Sequence, residues 1–207
     1  MDSVRFWDKM SAGYDRQAAG KYKQSYADTV ALTRKYLKPT DAVLDFACGT
    51  GLTTVQVADA VASIHAIDIS PKMISLAQSK CAEQGHENVT FTVTTLFDAR
   101  LAEGSFDAVL AFNILHGLPN AVGYCRRIHR LLKPGGLFIS VTDCLKQSPP
   151  LTIAMIRSLC FLRVLPYIKL LTDETLKAMI SDAGFRLLHT QNLFGMPPNL
   201  FVAAQKD

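Results

Sequence analysis

The sequence predicts an α/β fold, a doubly wound sheet that is mostly parallel, and three observations predict it. From about residue 40, short β-rich runs alternate with helical segments. Near the C-terminus two β-runs follow one another closely, and an early strand runs straight into the glycine turn of "LDFACGTGLTT" (44–54). Alternating strands and helices cover a parallel sheet on both faces, whereas closely spaced strands pair antiparallel. The 207 residues, 49% of them hydrophobic, suit one domain with a real core, spanning 1–207.

Each element has a local reason. "AVLDF" (42–46), "SIHAI" (63–67), "VTFTV" (89–93), "DAVLAF" (107–112) and "GLFISVT" (136–142) are short, apolar and β-rich, and read as buried strands. Helices are expected near 52–62, 71–84 and 118–132. Ser70 offers a capping hydroxyl just before Pro71, whose missing N–H is harmless at the first helical position. "LLKPGG" (131–136) is read as a helix end turning sharply into the fifth strand. "TDETLKAMISDAGF" (172–185) has acids in its first turn and Gly184 at its end, which predicts a helix of about three turns. "FRLLHTQNL" and "NLFVAAQK" complete a seven-stranded sheet as an antiparallel pair at its edge.

Composition narrows the setting. The most hydrophobic stretch, "PPLTIAMIRSLCFLRVLPYIKLL", is broken by Arg157, Arg163, Pro166 and Lys169, so no membrane span is expected, and the polar start lacks signal-peptide features. A cytoplasmic setting is the default expectation. The five scattered cysteines contain no C-x-x-C pair, so they are expected as reduced thiols near the core rather than as a disulfide or zinc framework. A net charge of +4 is mild; Arg126, Arg127, Arg130 and Lys133 are read as a solvated helix face, and nucleic acid is not expected.

The glycine turn carries the chemistry. A strand feeding a Gly-x-Gly turn and then a helix presents bare amides and lets a ligand approach closely. Asp68, 17 positions beyond Gly51 (68 − 51), ends the next strand and puts a carboxylate beside the same crevice, able to accept from both hydroxyls of a ribose. Thr54 replaces the third glycine of a dinucleotide fingerprint, and Asp45 would repel a pyrophosphate but attract an ammonium group. A nicotinamide oxidoreductase is thereby disfavoured, and a nucleoside carrying an amino-acid-like cation is favoured.

"VLDFACGTG", "AIDIS", "EGSFDAVLAFNILHGL" and "LLKPGGLFISV" together resemble the successive motifs of class I S-adenosylmethionine-dependent methyltransferases, in particular the small-molecule branch that includes quinone-biosynthesis enzymes. "FWDKMSAGYD" (6–15) is similar to the N-terminal lid of that branch, so residues 1–38 are expected as a helical lid. The resemblance implies a Rossmann-like fold, S-adenosyl-L-methionine as cofactor and S-adenosyl-L-homocysteine as product. By position it implies that Asp45 holds the methionine amino group, that Gly49 and Gly51 line the amino-acid moiety beside Ala47, and that Asp68 binds the ribose. Ile69 would pack on the adenine, Asn113 would offer backbone to the amino group, and Tyr14 would close over the cofactor. Where many relatives place an acid against the adenine amino group this chain has Thr95, followed by Leu96 with its backbone amide.

Methyl transfer needs alignment and exclusion of water, and needs a base only for some acceptors. If a base is used, His116 in "NILHGL" is the candidate, set against the plainer reading of a histidine bonded to nearby backbone; Asp143 is the weaker candidate. His65 is expected to be structural, and His189 is uninformative. The fourth strand ends without the [DNS]-P-P-[YFW] pattern of nucleic-acid amino methylation, no Pro-Cys nucleophile occurs, and no carboxylate cluster suggests a metal. Residues 147–171 form an apolar insertion in which Met155, Ile156, Leu159 and Leu162 share one helical face. In the branch resembled, this insertion caps the acceptor pocket, which implies an apolar or aromatic small-molecule acceptor; a dimer contact or a peripheral membrane contact is the alternative use. The expected assembly is a monomer or homodimer, and the alternative to an enzyme is a non-catalytic methyltransferase-like binding subunit.

Overall fold

A computed structural model of the protein describes residues 3–20 and 22–207, so Met1, Asp2 and Lys21 of the expected lid lie outside the described residues. Two helices, α1 (Ser3–Ala19) and α2 (Lys23–Arg34), precede the first strand, β1 (Ala42–Phe46). They are followed by α3 (Thr54–Val57), β2 (Ser63–Asp68), α4 (Pro71–Glu83), β3 (Val89–Val93) and β4 (Phe106–Phe112). The chain continues through α5 (Ala121–Leu131), β5 (Leu132–Asp143), α6 (Pro150–Phe161) and α7 (Asp173–Ser181), and ends with β6 (Phe185–Asn192) and β7 (Asn199–Lys206).

The seven strands form one sheet in the order β3-β2-β1-β4-β5-β7-β6. Strands β1 to β5 are parallel, and β7 runs antiparallel to both β5 and β6. The chain moves outward from β1 to β3, then returns to β4 on the other side of β1, which opens a crevice at the carboxyl ends of β1 and β4. The side-chain period of two sorts the core. Leu44 and Phe46 face a cluster with Ile128, Leu131, Leu176 and Ile180, whereas Val43 faces the opposite one with Leu32, Val57 and Ile74.

Most local signals hold. Ser70 Oγ accepts from Met73 N at 3.1 Å with Pro71 at the helix start, and Thr172 caps α7 in a reciprocal box with Thr175. Four differences have physical reasons. "LLKPGG" is no turn into a new strand: β5 already begins at Leu132, and Pro134, Gly135 (φ 74) and Gly136 lie in a register shift of its pairing with β4. The helix expected over 52–62 shrinks to α3 and a 3₁₀ turn at Ala58–Ala60, with the backbone leaving helical geometry at Val57 (φ −115, ψ −4) and turning extended at Val61 (φ −139, ψ 162). Arg127 is not on a solvated face. It is buried, its Nη2 and Nε donate to the carbonyls of Leu101 and Leu96 at 2.9 and 3.3 Å, and its Nη1 donates to Glu103 at 3.0 Å, so it fixes the loop after β3.

The fourth difference concerns the insertion. Residues 147–171 form one helix, α6, and a following irregular segment, and no residue of α6 is buried. Among the described residues no helix is long and apolar enough to cross a membrane.

Candidate active site

The crevice is built from strand ends. Past β1, Ala47 (φ 59), Gly49 (φ 56) and Gly51 (φ 72) take left-handed backbone, and past β4 so does Asn113 (φ 54). Alanine and asparagine at positive φ are uncommon and strained, and such strain gathers at binding sites. The two glycines differ in use. A Cβ on Gly49 would meet nothing within 4 Å, whereas one on Gly51 would lie 2.9 Å from Ala77 Cβ on α4. Gly49 therefore leaves room at the crevice, and Gly51 lets the turn sit against a helix. Gly51 is not among the residues lining the crevice.

Asp68 closes β2 with its carboxylate anchored on two main-chain amides. Oδ2 accepts from Gly49 N at 3.0 Å and Oδ1 from Ser70 N at 2.9 Å, while burial raises its pKa against these bonds. Asp45 is 1% exposed and accepts a 2.6 Å hydrogen bond from Thr54 Oγ1. Burial pushes its pKa up to about 6, opposed by the Thr54 bond and assisted by the charge of Asp68. Asp45 forms no ion pair among the described residues. A buried carboxylate without a counter-charge is costly, so this one is suited to a cation from outside. Cys48, buried beside both acids, has its thiol pKa raised by burial and is inert.

A cleft opens over these groups. Tyr14, Ala47, Gly49, Asp68, Ile69, Thr95, Leu96 and Asn113 all line it, and Asp45 lines a smaller recess that shares Tyr14, Ala47, Gly49 and Asn113. Asn113 N–H donates to Val141 O at 2.7 Å, so its carbonyl is the backbone group left for a ligand. Asp98, the carboxylate nearest to Thr95, is bonded to Thr94 and Arg100. The aromatic wall was not foreseen: Trp7, Phe46 and Tyr124 also line the cleft, with Phe46 stacked on Tyr124 at 5.6 Å between centroids. The only advance signal for Tyr124 is its place on the amphipathic α5.

A second cavity adjoins the first and shares Trp7, Tyr14 and Asn113 with it. Tyr22, Ser25, Tyr26, His116, Asp143 and Asn199 complete its lining. Asn199 Nδ2 donates to Asp143 Oδ1 at 2.7 Å and to Asn113 Oδ1 at 3.0 Å, and its Oδ1 accepts from Ser25 Oγ at 2.8 Å. The Tyr14 and Tyr26 hydroxyls are 3.3 Å apart, and burial raises the pKa of both. His116 does not bond its side chain to backbone: Nδ1 is buried without a hydrogen-bond partner among the described residues. Burial lowers its pKa, opposed by the charge of Asp143, so the ring is neutral at pH 7. No residue of 147–171 lines either cavity, whereas residues of α1 and α2 do. His65 bonds Thr92 Oγ1 at 2.9 Å and His189 bonds Tyr36 at 3.0 Å, both away from the cavities.

Helix α1 is held to the body by its own carboxylates. Asp8 accepts from Ser70 Oγ at 2.6 Å, and Asp15 accepts from Thr50 Oγ1 at 2.6 Å and pairs with Lys80 at 2.7 Å.

Comparison with known proteins bears on this site. Residues 43–136 match the family model described as "Methyltransferase domain". The chain is 32% identical over 159 residues to a ubiquinone biosynthesis O-methyltransferase of Xanthomonas axonopodis pv. citri, a match covering 73% of this chain and 65% of that relative. The chain thus spans slightly less than two thirds of that relative's length. It is 30% identical over 200 residues to the protein of the same description from Xanthomonas campestris pv. campestris (strain B100), covering 93% of this chain and 79% of the relative. Among solved structures, the putative methyltransferase in complex with the Trm112 methyltransferase activator of Haloferax volcanii has a TM-score of 0.75 at 16% identity, covering 96% of each chain. At that identity the likeness concerns the fold alone.

Proposed function

The chain belongs to the class I S-adenosylmethionine-dependent methyltransferases, in their small-molecule branch, and from that premise we propose that it methylates a hydroxyl on a small aromatic acceptor. The observation that carries this reading is the pair of adjoining cavities. One is lined by the glycine turn and Asp68, and the other by a neutral histidine among tyrosines, with Tyr14 and Asn113 as a common wall.

The residues of the first cavity and of the recess beside it fit S-adenosylmethionine. Buried Asp45 lacks a counter-charge and would receive the amino group, Gly49 leaves open space where a side chain would stand, and Asp68 would accept from the ribose hydroxyls. Ile69 and the Phe46–Tyr124 stack offer apolar surface to the adenine, with Thr95 and Leu96 at its polar edge. When bound, the cofactor supplies an electrophilic methyl group on a positively charged sulfur.

In the second cavity, Trp7, Tyr14, Tyr22 and Tyr26 would hold a ring by stacking and keep water out. His116 takes the hydroxyl proton. With Nδ1 closed off, Nε2 is assigned as the accepting atom, and Asp143 stabilises the resulting imidazolium. Asn199, which bonds Asp143, Asn113 and Ser25 at once, is the positioning residue that holds this arrangement. The names of the relatives, which concern ubiquinone biosynthesis, support a hydroxylated ring as acceptor.

The test is methyl-labelled S-adenosylmethionine offered with a panel of catechols, simple phenols, aliphatic alcohols and primary amines, with product positions read by mass spectrometry. Label on a phenolic oxygen is the expected result. Transfer to amines alone, or S-adenosylhomocysteine binding with no transfer to any phenol, would overturn it.

A further inference from the structure

The segment that does not enter the site has its own pattern. Leu151 and Phe161 are 83% and 87% exposed, and Met155, Leu162 and Val164 are each more than half exposed. Contiguous apolar surface of this kind marks an interaction face. The same stretch is one-signed in charge: between Cys144 and Thr172 the chain carries Lys146, Arg157, Arg163 and Lys169 and no aspartate or glutamate.

Three of these cations share a groove. Arg157, Arg163 and Lys169 line it together with Ile156, Leu165 and Tyr167, and among the described residues no carboxylate lines it. Some cations elsewhere are paired with carboxylates, as in Arg34 with Asp59, Lys80 with Asp15 and Lys133 with Asp107. The three in the groove form neither an ion pair nor a side-chain hydrogen bond among the described residues. Unpaired cations beside exposed aliphatic and aromatic side chains complement a surface that is anionic outside and apolar beneath. A second copy of the chain is a poorer fit, because a two-fold contact sets the same face against itself and would bring these uncompensated charges together.

We propose that α6 and residues 162–170 form a docking surface for a membrane containing anionic phospholipid. Leu151, Phe161 and Leu162 enter the boundary between headgroups and acyl chains, and Arg157, Arg163 and Lys169 engage the phosphates. The docked face is tied to the active site by one main-chain bond, from Lys169 N to the carbonyl of His116 at 2.7 Å. This surface stands apart from the methyl-transfer reading, since it is measured without turnover.

The test is co-sedimentation of the 207-residue chain with vesicles of phosphatidylcholine alone or of phosphatidylcholine mixed with phosphatidylglycerol. Binding to the mixed vesicles is expected to be tighter by about tenfold or more and to weaken with added salt. The Arg157→Glu/Arg163→Glu double variant should lose about tenfold or more of that binding. Phe161→Ser/Leu162→Ser should lose binding too, and both should keep the parent's melting temperature and S-adenosylhomocysteine affinity. Equal affinity for the two vesicle types, no binding to either at low salt, or variants that bind like the parent would overturn the proposal. So would a lipid-free dimer that the Phe161→Ser/Leu162→Ser variant dissociates, because the apolar face would then belong to a second copy.

Discussion

The two halves of the site are assembled in opposite ways. The cofactor half is drawn mainly from strand ends and the turns that follow them: Asp45 to Thr50, Asp68 and Ile69, and Thr94 to Leu96. Its polar groups are fixed by bonds within that region, such as Gly49 N and Ser70 N on Asp68 and Thr54 on Asp45. The acceptor half joins residues from opposite ends of the chain, Tyr22 and Ser25 on one side and Asn199 on the other, with His116 and Asp143 between. Its key bonds cross the molecule, as in Ser25 Oγ to Asn199 Oδ1. The difference teaches that binding the donor is a property of local backbone, whereas choosing the acceptor is a property of packing.

Substitutions that separate the halves sharpen this contrast. The largest effect is expected for His116→Asn, which should lower kcat by roughly 10²- to 10⁴-fold while S-adenosylhomocysteine affinity measured by calorimetry stays the same. In the parent, kcat/KM should fall only on the acid side of the usual histidine range, because burial lowers the pKa of His116 and the base must be unprotonated. A parallel loss of cofactor affinity would mean that the halves are one unit.

Asp68→Asn should act the other way, weakening S-adenosylhomocysteine binding by roughly ten- to a hundredfold through loss of charge-assisted bonds. Unchanged affinity would remove Asp68 from the ribose site. Next come the two glycines. Gly51→Ala, with left-handed backbone and Ala77 at 2.9 Å, should cost about 2–3 kcal/mol of stability in a urea titration. Gly49→Ala meets open space and should cost about 1 kcal/mol, yet weaken cofactor binding more than its stability loss suggests.

An effect of similar size, but dependent on pH, concerns Asp45. Its folded-state pKa of about 6 exceeds the unfolded value of ~3.9, so the folded state binds the proton more tightly. The stabilisation is full below the unfolded value and is lost as pH rises through the folded one. In the absence of cofactor, Asp45→Asn should therefore gain stability relative to the parent by an amount, on the order of 1–2 kcal/mol, that grows from pH 4 to pH 7. A difference that stays flat with pH would mean that Asp45 carries its charge without cost.

How far the sequence could be read follows from the same physics. Ser70-Pro71 marked a helix start correctly because a cap and its first turn are adjacent in the chain. "LLKPGG" misled because proline and glycine punctuate a turn and a strand irregularity alike, and only the pairing with β4 distinguishes them. Arg127 looked like one of several surface cations on α5, and its burial depends on carbonyls of a loop more than twenty residues earlier. Ser25 and Tyr26 sit in α2 and Tyr22 just before it, with no motif, so nothing nearby announced a pocket.

The sequence by itself determined the alternating elements, the left-handed turn after β1 and the two acids at neighbouring strand ends, because side-chain period and backbone φ preferences act over a few residues. Only the tertiary structure decided where the acceptor sits. Insertion of β7 between β5 and β6 sets Asn199 in register with Asp143, and helix α2 closes over them with Ser25, so the polar lining arises from strand order and helix docking rather than from any contiguous stretch. Packing also decided that α6 keeps no residue buried and that tyrosines near the first two helices line the second cavity.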